Sequence, residues 1–231
     1  MSKNLGYFDR FARVFGGSIL LLLSVFVFTH PVGRLLAILF GLWGVLEGIS
    51  GHCPLYYYLG QHKPGAMKPE MVVSLSLTGI QVVFGYVWWS AGWEKITDNT
   101  FIPGLAKVLT AWATKNPYPL VHDFLLTSGV KYAQLFGFFV AFGEYLIGVV
   151  LIALAYAWLT ARSEETRRAS LYISAICYAI GAVMSAVFYL AAAHTSPSTH
   201  TLNTLMFWVQ ALLFYTYIMM LVQKNGARFG K

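Results

Sequence analysis

Residues 85–99, GYVWWSAGWEKITDN, decide the fold of this chain. An apolar run with two adjacent tryptophans ends here in Trp93-Glu94-Lys95. Aromatic residues beside charged residues are typical of the boundary between a membrane and water. The stretch therefore predicts a helix that crosses a bilayer and brings its charged groups to one face of it.

The composition of the whole chain agrees with a membrane location. Of 231 residues, 58% are hydrophobic and 11% are charged, and the mean hydropathy is +0.62. A soluble domain is less apolar than this, and a helix needs about 20 residues to cross a bilayer. Six apolar runs are long or dense enough: 14–29, 34–51, 71–92, 134–159, 169–194 and 201–222. The sequence predicts an all-α integral membrane protein with six spans.

The chain divides into two predicted modules. Only His30-Pro31-Val32-Gly33 separates the first two runs, which favours a helical hairpin; the alternative is a re-entrant pair that does not cross. A Pro/Gly/Lys-rich break follows. The predicted parts are a two-helix hairpin module, a linker and a four-helix transmembrane bundle, at 1–62, 63–70 and 71–225 respectively.

Lys and Arg residues predict the orientation. Basic residues flank the predicted spans on one side, at Lys3, Arg10, Arg13, Lys63, Lys68, Arg162, Arg167, Arg168, Lys224, Arg228 and Lys231. Because cytoplasmic loops are enriched in Lys and Arg, we expect both termini in the cytoplasm and the long loop 93–133 outside. The net charge of +7 is then a topology signal and requires no nucleic-acid partner. The predicted location is a bacterial or archaeal cytoplasmic (inner) membrane.

The long outer loop has a pattern of its own. Apolar residues recur at helical spacing at Phe101, Leu105, Val108, Leu109 and Trp112. The pattern predicts an amphipathic helix over the outer mouth of the bundle, ended by Asn116-Pro117. A second short helix is expected in the segment that leads to span four.

Polar residues within the spans are the first candidates for a site. Gln81, Glu144, Ser185 and Gln210 each fall roughly ten residues from an outer helix end, so we expect one shared layer about 15 Å deep. Hydrogen-bond contacts between helices are the alternative role for these residues. Glu144 fits that alternative least, since a carboxylate in a bilayer costs several kcal/mol unless it is paired or protonated.

A second group of candidates surrounds the predicted outer mouth. We expect these residues to rim one cavity above Glu144: Trp93, Glu94, Lys95, His122, Asp123, Lys131 and Tyr132. Lys95 and Lys131 can attract an anionic substrate there, or they can anchor the chain at the interface; the sequence leaves both open.

The hairpin module resembles a small bacterial inner-membrane two-helix family of unknown function, sometimes fused to a rhodanese sulfurtransferase domain. The matching residues are Asn4, Asp9-Arg10, Arg13, Gly16 and Cys53-Pro54-Leu55-Tyr56. The resemblance implies that Cys53 can carry a persulfide, the alternative being a small apolar residue at the interface. Glu47 is expected to snorkel or to pair with Arg10 or Arg13.

The second module resembles the DoxX/DoxD membrane family, which includes the membrane subunit of thiosulfate:quinone oxidoreductase. The carrying stretches are Ser90-Ala91-Gly92-Trp93-Glu94-Lys95, then Phe101 and Pro103, Asn116-Pro117, Phe124-Leu125, and Phe142-Gly143-Glu144-Tyr145-Leu146-Ile147-Gly148. The resemblance covers about residues 70–225. The N-terminal hairpin is an addition to that family's pattern.

This second resemblance implies a sulfur-linked redox function. The expected reaction oxidises a reduced sulfur compound such as thiosulfate and passes the electrons to membrane quinone. Glu144, Lys95 and Glu94 are the implied catalytic residues, with substrate contacts from Trp93, Lys131, His122 and Asp123. The implied quinone pocket comprises Gln81, Trp88, Trp89, Phe138, Ser185, Tyr189 and Gln210.

Other roles remain open for the second module. The sequence has no haem, flavin or metal motif, so a second redox subunit or a homo-oligomer is an expected partner, besides the lipid bilayer and quinone. A non-catalytic anchor or accessory subunit of a larger respiratory complex is the alternative function. A small-solute transporter is disfavoured, because neither broken helices nor an inverted repeat is evident.

Overall fold

The structure, a computed structural model, describes residues 3–26, 30–58, 60 and 69–229, with side chains at all of these except 69–72 and 223–229. This described chain is 90% helical and contains no strand. The predicted all-α membrane fold is confirmed. Most of the predicted linker 63–70, the end of the first run and the side chains of the basic C-terminal tail lie outside the described residues.

The described helices follow the predicted runs closely. They are α1 (Tyr7–Phe26), α2 (Pro31–Ser50), α3 (Pro54–Tyr58), α4 (Pro69–Thr97), α5 (Phe101–Thr114), α6 (Pro119–Phe124), α7 (Ala133–Thr160), α8 (Glu164–Ala192) and α9 (Pro197–Phe229). A π-helical turn, Leu125–Gly129, precedes α7, and a 3-10 turn, Ala193–Thr195, precedes α9.

Four of these helical segments are long and apolar enough to cross a membrane. They are Pro31–Ser50, Ala133–Thr160, Glu164–Thr195 and Pro197–Val222. Large apolar side chains on them face outward, among them Leu146, Val183 and Leu212 at 61, 63 and 62% exposure. Such surfaces suit lipid rather than water.

The helices at the other two predicted spans, 14–29 and 71–92, do not meet the same criteria of length, hydropathy and charge. α1 carries Asp9, Arg10 and Arg13 in its first turns, and α4 alternates serine, threonine, glutamine and tryptophan with its apolar residues. Both are helices, as predicted, but the count of six crossings and the side on which each loop lies stay predictions.

The chain forms two compact units, Met1–Ser74 and Leu75–Lys231. In the first unit, α1 and α2 pack at glycines. A Cβ on Gly17 would lie 2.6 Å from the Gly41 carbonyl oxygen, so only glycine allows this approach. Gly51 ends α2 with φ 73°, and its N–H donates to the Glu47 carbonyl oxygen at 2.9 Å. This is the left-handed C-cap that glycine favours.

In the second unit, α4 and α7 approach each other more closely than any side chain would permit. A Cβ on Gly92 would lie 2.2 Å from the Tyr145 nitrogen, and a Cβ on Gly148 would lie 2.2 Å from the Trp89 nitrogen. Small residues allow such backbone contact between membrane helices. This contact fixes the register of α4 on α7 and hence the position of the candidate site.

The segment between α4 and α7 contains the two short helices that the sequence predicts. α5 buries Leu105, Leu109 and Ala113, which recur at helical spacing, while Val108 is exposed. Val108 departs from the expected apolar stripe and is exposed. It precedes Leu109 by one residue, which is about 100° around the helix, so it lies outside the buried face. The short helix α6 follows, with Pro119 in its first turn.

The glycine contact yields a test of the fold. Gly92→Ala should lower the free energy of unfolding by about 1–3 kcal/mol, because the added methyl group overlaps the α7 backbone. Gly79→Ala is the matched control on the same helix, where nothing lies within 4 Å of the added Cβ. The control should be neutral or stabilising by about 0.5–1 kcal/mol. Thermal unfolding in detergent measures both, and equal midpoints for the two variants would contradict the close approach.

Candidate functional site

A buried ion pair joins α4 to α7. Lys95 Nζ donates to Glu144 Oε2 at 2.6 Å. The Glu144 side chain is 3% exposed and the Lys95 side chain 27%. A carboxylate at this depth is costly to desolvate, so the neighbouring ammonium is the group that makes its burial tolerable.

Helix register brings this pair together. Lys95 lies one turn beyond Gly92 on α4, and Glu144 precedes Tyr145, whose backbone rests against Gly92. The contact of the two backbones therefore places an ammonium and a carboxylate side by side at one end of the α4–α7 crossing.

The lysine has further contacts that hold it at the edge of the bundle. Its Nζ also donates to the Ala91 carbonyl oxygen at 3.3 Å and lies 5.8 Å from the centre of the Phe101 ring at the start of α5. A partly exposed ammonium can exchange one partner for an incoming anion, whereas the buried carboxylate cannot leave. The arrangement thus combines an anion-accessible cation with an acid that needs either that cation or a proton.

Two predicted neighbours lie beside the pair but face outward. Trp93 is half exposed and its ring is tilted against Tyr145, with 6.1 Å between the ring centres. Glu94 is exposed. Neither residue makes a hydrogen bond or ion pair with Lys95 or Glu144 in the described part of the chain, and the catalytic role of Glu94 stays a prediction.

The remaining predicted rim residues pair among themselves. His122 Nδ1 lies 2.9 Å from Asp123 Oδ1, and Lys131 Nζ lies over the Tyr132 ring at 5.1 Å from its centre. No ion pair joins them to Lys95 or Glu144 within the described residues. The common cavity above Glu144 therefore stays a prediction.

The expectation of one polar layer holds for Ser185 and Gln210, which are hydrogen-bonded to each other, but it is wrong for Gln81 and Glu144. Gln81 Nε2 donates to the Leu151 carbonyl oxygen at 2.9 Å and to Ser174 Oγ at 3.1 Å, and the Tyr217 hydroxyl donates to Gln81 Oε1. Gln81 thus belongs to a different layer from Glu144, because it lies 14 residues along α4 from Lys95, the partner of Glu144. The physical reason is the antiparallel register of α4 on α7, which sets Gln81 opposite Leu151 and Lys95 opposite Glu144.

A second layer lies between these two. Gln210 accepts a hydrogen bond from Trp88 Nε1 at 3.0 Å and donates to Ser185 Oγ at 3.0 Å and to the Met206 carbonyl oxygen at 2.9 Å. Gln81, Trp88 and Lys95 recur every seven residues on α4. That spacing is the sequence signal that could have separated the three layers, since seven residues are about two helical turns.

These contacts bear on the predicted quinone pocket. Both glutamine side chains use their amide nitrogen and their carbonyl oxygen in hydrogen bonds, and all of these bonds except that of Gln210 to Met206 join two helices. A Cβ on Gly181 would lie 1.9 Å from Gln210 Oε1. A quinone carbonyl would have to displace one of these bonds, so these residues do not fit an open quinone slot. They perform the helix-joining role that the sequence left as the alternative.

The other three members of that predicted pocket lie elsewhere. The Trp89 ring is tilted against Tyr86, the Phe138 ring is tilted against Phe142, and the Tyr189 hydroxyl lies 3.2 Å from His200 Nε2. The described contacts do not join these side chains to the two glutamines.

Cys53 occupies a separate buried cluster in the first unit. Its N–H donates to Asn4 Oδ1 at 2.8 Å, and Asn4 Nδ2 donates back to the Cys53 carbonyl oxygen at 2.9 Å. Burial raises the pKa of the Cys53 thiol, Glu47 adds to the rise and Arg13 opposes it. The thiol is therefore protonated at neutral pH and is a poor nucleophile as it stands. Its persulfide role stays a prediction.

Glu47 pairs with Arg13, one of the two arginines that the sequence analysis named as its possible partners. Glu47 forms an ion pair with Arg13, whose guanidinium lies 4.9 Å from the Tyr56 ring centre. Arg10 instead donates to the Gly48 and Ile49 carbonyl oxygens, both at 2.9 Å, at the end of α2. The reciprocal bonds of Asn4 with Cys53 were not foreseen, because nothing in the spacing links residues so far apart.

The fold and these sites define an all-α, multi-pass membrane protein with buried polar contacts. Residues 1–68 match the family model described as the transmembrane domain of YgaP-like inner membrane proteins. This match confirms the expected rhodanese-associated inner-membrane module in the first part of the chain and indicates an inner-membrane location. The chain matches no curated protein and no solved structure.

The ion pair yields a stability test. Lys95→Met should cost about 3 kcal/mol or more of unfolding free energy, because it leaves the Glu144 carboxylate buried without its cation. Adding Glu144→Leu should recover most of that loss. Lys131→Met, at an exposed lysine over Tyr132, should change stability by less than about 0.5 kcal/mol. Chemical or thermal unfolding measures all three, and additive losses in the double variant would contradict a coupled pair.

Proposed function

We propose that the second unit is a DoxX/DoxD-like membrane oxidoreductase subunit that passes electrons from a reduced sulfur compound, most simply thiosulfate, to membrane quinone. The observation that carries the proposal is the Lys95–Glu144 ion pair. Lys95 ends one of the two stretches on which the resemblance depends most, and Glu144 lies within the other. Two motifs separated by a 49-residue interval thus meet in one buried pair.

The charge of the pair suits an oxyanion substrate. Thiosulfate is a dianion, and the partly exposed Lys95 ammonium can offer it a hydrogen-bonded positive charge. When the ammonium turns toward the substrate, the Glu144 carboxylate loses its partner in an apolar setting. Taking up a proton then neutralises Glu144, so anion binding and proton uptake are coupled at this pair.

The proposed reaction balances in two halves. Two thiosulfate ions join through a new sulfur–sulfur bond to form tetrathionate and release two electrons. Quinone takes up two electrons and two protons to become quinol. Glu144 is proposed to hold one of these protons. No residue is assigned to quinone itself, because the buried glutamines are each hydrogen-bonded to other residues of the bundle.

A second candidate function is supported by a different observation. Gln81, Trp88, Ser185 and Gln210 are satisfied within the bundle, as a rigid anchor requires. A non-catalytic accessory subunit of a larger redox complex would need this packing but would not need an exchangeable ion pair. The two candidate functions therefore differ in whether the Lys95–Glu144 ion pair must open when a substrate binds.

Thiosulfate-dependent reduction of a soluble quinone analogue by the purified chain tests the proposal. Glu144→Gln should lower kcat by about 100-fold or more, the size of effect that loss of a general acid or base produces. Lys95→Ala should chiefly raise KM, because it removes the cation that holds the substrate anion.

Exposed residues away from the pair provide matched controls. Glu165→Gln on α8 and Lys107→Ala on α5 make the same side-chain changes at exposed positions and should retain wild-type rates. No turnover by a folded wild-type chain would favour the accessory role, and equal losses in the controls would remove the pair from the mechanism.

A further inference from the structure

A groove lies between the beginning of α8 and the last turns of the α9 span. It encloses about 510 Å³ and is lined by Glu165, Arg168, Tyr172, Ile218, Leu221 and Val222. The volume falls within the range of sites that hold small molecules.

The position of the groove matches the level of lipid headgroups. Glu165 and Arg168 stand at the start of the segment Glu164–Thr195, which can cross a membrane, and Val222 is the last apolar residue of α9 before Gln223 and Lys224 in the sequence. Tyr172 lies one turn further along α8 and is 59% exposed. Tyrosine is enriched where headgroups meet acyl chains, so the charged end of the groove faces the headgroups and the apolar end faces the hydrocarbon.

The polar end of the groove carries two exposed side chains of opposite charge. Glu165 and Arg168 are both exposed, and three-residue spacing puts them on one face of α8. The described part of the chain contains no ion pair that involves either residue. Among the residues whose side chains the structure describes, an anion and a cation thus stand side by side at the polar end of an apolar groove without an ion-pair partner.

We propose that this groove is a binding site for phosphatidylethanolamine. An acyl chain lies along Tyr172, Ile218 and Leu221, the phosphate accepts from the Arg168 guanidinium, and the primary ammonium donates to the Glu165 carboxylate. A quaternary choline headgroup has no N–H to donate, and an anionic glycerol headgroup places no cation at Glu165. The pair of charges therefore selects for a primary amine rather than for anionic lipid in general.

Native mass spectrometry of the full chain with lipids of identical acyl chains tests this site. Phosphatidylethanolamine should be retained about fivefold more than phosphatidylcholine, a ratio equal to about 1 kcal/mol. Glu165→Gln should reduce that ratio to near one, and Arg168→Gln should weaken retention of both lipids.

Glu164→Gln and Arg167→Gln are matched controls, since they make the same changes at the neighbouring pair with the same spacing, outside the groove. Both should keep the wild-type preference. Equal retention of the two lipids by the wild type, tighter binding of phosphatidylglycerol, or the same loss in the control variants would overturn the proposal.

Discussion

The second unit depends on the pairing of three polar side chains that α4 carries into the bundle, Gln81, Trp88 and Lys95. In an apolar medium an unpaired polar group costs more than it does beside water, so each such residue must meet a partner on another helix. Gln81, Trp88 and Lys95 meet α7, α8 and α9 at three successive levels. The glycine contact at Gly92 and Gly148 sets α4 against α7 in a register that places Gln81 and Lys95 within reach of Leu151 and Glu144 on α7.

The same physics recurs in the first unit with different residues. Arg13 neutralises Glu47, Arg10 covers the carbonyl groups at the end of α2, and Asn4 satisfies both backbone groups of Cys53. The N-terminal segment is thereby tied to the loop that carries Cys53. The two functional hypotheses concern a persulfide at Cys53 and the ion pair at Glu144. The ion pair has the stronger physical basis, since the thiol of Cys53 is buried and protonated.

Much of the fold could be predicted because hydrophobic runs and helix breakers are local features. The helices, the amphipathic α5 and the choice of Glu144 as a candidate residue came from such patterns, whereas the pairing of Glu144 with Lys95 was not predicted. The depth of the polar residues could not be predicted in the same way, because it depends on how α4 slides against α7. Counting from helix ends put Gln81 and Gln210 in one layer, whereas the glycine contact sets the register and separates them by about two turns.

The candidate site could likewise be predicted only in part. Residue type and burial cost were enough to single out Glu144, but nothing local predicts that Gln81 and Gln210 are hydrogen-bonded to partners on other helices. A residue can be polar and buried either to bind a ligand or to join helices, and only the partner atoms distinguish the two roles. Those atoms favour helix joining for the glutamines and an exchangeable pair for Glu144.

Infrared difference spectroscopy of the chain in lipid, with and without thiosulfate, tests the central claim most directly. If the anion draws Lys95 away from Glu144, a protonated carboxyl band should appear on addition of thiosulfate and be absent from Glu144→Gln. A spectrum that thiosulfate leaves unchanged, or a band that persists in the variant, would contradict the claim that this ion pair is where anion binding and proton uptake meet.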